Sequence, residues 1–167
     1  NPGDEVLVFD PSWVSYTPIV ELNRAVPIRV PLSAADNFTI TEDLLRSTVT
    51  PKTKLIMVNS PNNPTGRVLS RSEIDAIVKI ATEFDLYVLS DEIYEQLTYG
   101  NAKPTCLVTL RPWLRERTLT ISGASKSYAM TGWRIGFTVG PAAVIKAMDN
   151  IQSQETSCPG SVSQAAM

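Results

Sequence analysis

The chain has no histidine, so any chemistry it performs falls to lysine, aspartate, glutamate, tyrosine, serine or a bound cofactor. That absence removes Ser-His-Asp and Cys-His triads, histidine metal sites and imidazole acid–base catalysis. Cys106 and Cys158 lie far apart in sequence and do not make a zinc site. One segment carries most of the remaining promise. From Ser122 through Ser127, small and hydroxyl side chains surround the single amine of Lys126, and Arg134 follows eight positions on. An amine in such a setting can attack a carbonyl and form a Schiff base. A guanidinium nearby can clamp a phosphate with its planar fork.

The elements that must position these groups are legible as alternating strands and helices. Extended apolar runs cover Glu5–Asp10, Val26–Leu32, Lys54–Ser60, Leu86–Asp91, Thr118–Gly123 and Arg134–Gly140. Several are continuous and β-branched, as strands buried on both faces tend to be. Between them, Ser70-Arg71-Ser72-Glu73 reads as a capping box, followed by Ile74, Ile77, Val78, Ala81 and Phe84 at helical spacing. A second helix is expected to begin at Pro141 with Val144, Ile145, Met148 and Ile151 as its apolar stripe. Weaker helical patterns cover Val14–Arg24 and Thr41–Ser47. The alternation predicts one α/β domain with a largely parallel sheet and flanking helices.

In such sheets ligands bind beyond the carboxyl ends of the strands. The residues that follow the strands are Trp13 after the first, Asn62 and Asn63 after the third, Asp91 and Tyr94 at the fourth, and Lys126 after the fifth. Each has an ordinary explanation taken alone. Trp13 could simply pack, Asn-Pro-Thr-Gly could be a plain turn, Asp91 a helix cap and Lys126 a solvated charge. Together, a lysine, a phosphate clamp and an acid able to face a pyridinium are what pyridoxal phosphate requires.

Pro61-Asn62-Asn63-Pro64-Thr65-Gly66, Ser90-Asp91-Glu92-Ile93-Tyr94 and Ser125-Lys126 through Met130-Thr131-Gly132-Trp133-Arg134, in this order and spacing, resemble the class I/II aminotransferases of fold type I. The nearest likeness is to the bacterial aspartate/prephenate aminotransferase branch. Asn1–Glu5 and Pro11–Tyr16 fit as well, so the resemblance runs through the whole chain. It implies that Lys126 holds pyridoxal 5'-phosphate as a Schiff base and then shuttles the substrate's proton. It implies that Asp91 pairs with the ring nitrogen, Tyr94 and Asn63 hydrogen-bond the phenolate oxygen, Trp13 stacks on the ring and Arg134 binds the phosphate. It also suggests a cis peptide at Asn63–Pro64. Many relatives carry a phosphate-binding serine three positions before the lysine. Here Gly123 stands there, with Ser122 and Ser125 as neighbours, and either could take that part.

The implied reaction moves an amino group between an amino acid such as aspartate or glutamate and a 2-oxo acid, in a protein that is a homodimer at full length. Lyase or synthase chemistry on the same fold, or a catalytically inactive binding relative, are the alternatives. A nucleotide- or flavin-binding domain would want a Gly-x-Gly-x-x-Gly or Walker turn, and neither occurs. The resemblance places residues 1–167 in the central segment of the cofactor-binding large domain, with the N-terminal portion and the C-terminal small domain outside it. Apolar surface is therefore expected to lie exposed. Fifteen basic against seventeen acidic residues give a net charge of -2, which argues against nucleic acid or an anionic membrane as the partner. Two cysteines, no long apolar run and no basic or apolar leader point to the cytoplasm, without a signal peptide.

Overall fold

The computed structural model describes residues 1–167. Six strands form one sheet: β1 (Glu5–Asp10), β2 (Val26–Pro31), β3 (Thr53–Asn59), β4 (Tyr87–Asp91), β5 (Thr118–Gly123) and β6 (Gly136–Val139). Their order is β2-β1-β3-β4-β5-β6, parallel throughout except that β6 runs antiparallel to β5. The chain leaves β1 toward β2 and returns to the other side of β1 as β3. That reversal opens a crevice at the carboxyl ends of β1 and β3, where open α/β sheets bind ligands.

Helices cover both faces. On one, α2 (Glu42–Thr48) and α3 (Arg71–Glu83) pack Leu45, Ile74, Ile77 and Ile80 against Leu7, Phe9, Ile56, Val58 and Val88. On the other, α1 (Tyr16–Leu22) packs Tyr16 and Val20 against Val6, Val8 and Met57. Strand residues alternate between the two cores because successive side chains point to opposite faces. The expected capping box forms in full. The Ser70 hydroxyl accepts from the Glu73 amide, and the Glu73 carboxylate accepts from the Ser70 amide.

The run Val26–Leu32 becomes the edge strand β2, in which only Val30 is buried; Pro27 and Pro31, which cannot donate to a ladder, suit an edge. Two expectations need correction. The run Arg134–Gly140 yields only Gly136–Val139, because Thr131–Trp133 form a 3-10 turn and Arg134 adopts the left-handed conformation at φ 51°. Pro141 caps α5 (Ala142–Glu155) instead of opening its first turn, and no residue of that helix is buried. Val144 and Ile145 are half-buried while Met148 and Ile151 are 40% and 60% exposed, so only part of the stripe meets a partner face. A short α6 (Ser161–Ala166) had no clear periodic signal. Asn63–Pro64 is cis as expected, and Asp10–Pro11 and Ser60–Pro61 are cis as well.

Candidate active site

Of the groups singled out beyond the strand ends, all but Asn62 face one cleft of about 370 Å³, a volume that suits a small ligand. Trp13, Asn63, Asp91, Tyr94, Lys126 and Arg134 all line it. The register explains the convergence: Asn59 at the end of β3 lies beside Asp91 at the end of β4, which lies beside Ile121 in β5.

Asp91 is the buried anion of the cleft. Its Oδ1 accepts from the Ile93 amide at 3.1 Å and its Oδ2 from the Tyr16 hydroxyl at 2.6 Å. The Tyr16 phenol is held well above the ordinary tyrosine range, first by burial and then by the adjacent Asp91 charge, so it stays a donor. Trp13 meets the Tyr16 ring edge-on, with centroids 5.4 Å apart and planes at 88°.

Asn59 braces the neighbouring loop. Its amide donates to the Asp91 carbonyl at 3.0 Å, and its Oδ1 accepts from the Asn63 backbone at 2.7 Å. The Asn63 side-chain amide then points to the Tyr94 hydroxyl at 3.5 Å. Behind this loop, Arg67 makes a bidentate pair with buried Glu73, both contacts at 2.7 Å. Glu73 also accepts from the Ile40 amide at 2.8 Å, which ties the loop to α2 and α3.

Lys126 sits on α4 (Ala124–Ser127), directly after β5, with its amine 5.6 Å from the centre of the Tyr94 ring. A Cβ on Gly123 would lie 2.8 Å from the Gly136 Cα and 2.9 Å from the Ile135 carbonyl, so only glycine lets β5 and β6 approach here. That close approach accounts for the glycine where a serine was expected. Of its neighbours, Ser125 lines the cleft. Ser122 is buried and donates to Glu95 at 3.3 Å. Arg134 is exposed at the rim and donates to the Thr131 carbonyl at 2.9 Å.

Tyr16 and Asn59 were given no role by the sequence. Tyr16 lies in the same Pro11–Tyr16 stretch as Trp13, three positions on, but its partner is 75 residues away. Asn59 carried one faint signal, a buried amide at the end of an otherwise apolar strand. No group of three or more His, Cys, Asp or Glu side chains is placed to hold a metal ion.

The family model for aminotransferase class I and II matches residues 1–167. An aspartate aminotransferase from Geobacillus stearothermophilus is 44% identical over 99% of this chain and 42% of its own length. A probable aspartate/prephenate aminotransferase from Thermus aquaticus is 46% identical over the same shares. Among solved structures, the aspartate aminotransferase from Thermus thermophilus with maleate superposes with a TM-score of 0.94 at 43% identity, covering 99% of this chain and 42% of that one. An aromatic aminotransferase from Pyrococcus horikoshii gives 0.96 at 40% identity, covering 99% and 44%. The chain thus spans less than half the length of these relatives.

Proposed function

The chain belongs to the class I and II aminotransferase family, and on that premise we propose that it is the cofactor-binding core of a pyridoxal-phosphate-dependent aminotransferase. In this reading residues 1–167 form the central segment of the large domain. The observation that carries it is the meeting of Lys126, Asp91, Asn63, Tyr94 and Arg134 in one cleft.

The donor set fits the cofactor. A buried carboxylate held by two donors suits a protonated ring nitrogen. The Asn63–Tyr94 pair suits the phenolate oxygen, and the Trp13 indole suits the ring face. Arg134, with the Ser125 hydroxyl in the same cleft, suits the phosphate. When bound, pyridoxal phosphate supplies an electron sink for the bonds at an amino acid's α-carbon. The chain's own part is then positional and protonic. Lys126 Nζ would be the attachment point and, when not so engaged, the group placed to take and return a proton. Asp91 keeps a negative charge where the ring nitrogen needs one, and Trp13 shields one side from water.

Relatives named for aspartate and aspartate/prephenate, one of them solved with the dicarboxylate maleate, support an acidic amino donor such as aspartate or glutamate and a 2-oxo acid acceptor. We further read the full-length protein as a cytoplasmic homodimer. Exposed apolar side chains at Trp133, Phe137 and Ile151 support a surface that more chain or a partner covers. No helix is long and apolar enough to cross a membrane.

Loading the full-length protein with pyridoxal phosphate, reducing it with borohydride and mapping the peptides should place the cofactor on Lys126. Label on Lys103 or Lys146 instead would reject the assignment. A change in visible absorbance on adding aspartate or glutamate, reversed by a 2-oxo acid, checks the reaction class.

A further inference from the structure

Tyr16 opens α1 and, with Val20, forms the buried side of that helix. It is only 6% exposed, and its hydroxyl lies 2.6 Å from Asp91 Oδ2. A buried tyrosine normally finds some partner for its hydroxyl, and a backbone carbonyl would serve. Here the partner is the anion of the cleft, and the phenol itself lines that cleft.

We propose that Tyr16 is a positioning residue for the cofactor: its phenol fixes the Asp91 carboxylate in the orientation that a protonated ring nitrogen requires. This rests on the functional reading above. An ionised carboxylate offers about four acceptor sites on two oxygens. The Ile93 amide uses one on Oδ1 and the Tyr16 hydroxyl one on Oδ2, so rotation of the carboxylate is blocked from both sides. Burial and the neighbouring charge keep the Tyr16 proton in place, so Tyr16 does not exchange protons with substrate. Its edge-on contact with Trp13 also ties the indole to the same carboxylate.

The consequence is spectroscopic. A well-held Asp91 keeps positive charge on the ring nitrogen, and that charge favours loss of the proton from the cofactor's linkage to Lys126. In the full-length protein loaded with pyridoxal phosphate, Tyr16→Phe should raise the pH midpoint of the visible absorbance change by about half to one unit, less than the full worth of one charge-assisted hydrogen bond because the effect reaches the Lys126 linkage only through the ring. Replacing Tyr16 with 3-fluorotyrosine, a more acidic phenol of nearly the same shape, strengthens the donor and should move the midpoint down. This second arm answers the question if the phenylalanine variant does not fold. A packing role alone predicts no movement in either. Midpoints that stay at the parental value in a protein loaded on Lys126 overturn this inference alone. A parent that does not load on Lys126 overturns the functional reading and this inference with it.

Discussion

Asp91 is the residue on which the others converge. It ends β4, takes hydrogen bonds from Tyr16 and Ile93, and has Asn59 against its backbone carbonyl. In the proposed reading its charge would matter most when electrons flow into the ring, not when the cofactor settles, because Arg134 and Lys126 would also hold the cofactor. Asp91→Ala in the full-length enzyme should lower kcat by about 10²–10³-fold while weakening cofactor affinity only by about tenfold. Equal losses in both, measured by single-turnover kinetics and cofactor titration, would make Asp91 a binding group only. Lys126, Asp91, Asn63 and Tyr94 were legible in the sequence because each lies at or within a few residues of a strand's carboxyl end, where the sheet delivers it to the crevice, and because together they form one recognisable pattern. Tyr16 was not, since nothing within α1 distinguishes a phenol that reaches a carboxylate 75 residues on from one that merely packs.

At the level of elements, α3 and the Asn62–Arg67 turn hold the site through Glu73. Burial alone would push the Glu73 carboxyl up, but the Arg67 guanidinium, the Ser70 hydroxyl and amide and the Ile40 amide outweigh it and hold it at about 2. The folded pKa lies below the ordinary 4.5, so the unfolded chain binds protons first. The stabilisation is therefore complete above about pH 4.5 and lost as pH falls toward 2. On the scale of that shift it amounts to about 3 kcal/mol. Glu73→Gln should cost about 3–5 kcal/mol at neutral pH, because Arg67 is left buried without its counter-charge, and should flatten the acid limb of denaturant melts. The capping box announced this helix, yet Ser70-x-x-Glu73 gives no hint that Arg67 and Ile40 share the same carboxylate. The edge strands were the least legible elements. β2 and β6 carry apolar residues much like β1 and β3, and only their place in the sheet order leaves them half exposed.

For the whole molecule, a cleft that gathers the groups proposed to contact the cofactor is not yet a catalyst. Residues 1–167 hold every cleft-lining group discussed above, but one side of the assembly lies open. Arg134 sits exposed at the rim, α5 has no fully buried residue, and Phe137, Val139 and Ile151 are 45%, 56% and 60% exposed. An open cleft admits water, which weakens the charge interactions that Asp91 and Arg134 offer. Holding the substrate in reactive geometry can account for about 7–11 kcal/mol of barrier, and no second cationic clamp for a substrate carboxylate lines this cleft beside Lys126 and Arg134. The chain spans 42% of its relatives' length, which leaves room for such groups elsewhere in a full-length protein. Residues 1–167 alone should therefore bind pyridoxal phosphate weakly, show no absorbance change with amino donors and associate through their apolar rim. The purified segment, mixed with cofactor, aspartate and a 2-oxo acid, tests this beside a free-cofactor control. Turnover above that control would mean that Lys126, Asp91 and Arg134 position substrate without help from the rest of the protein.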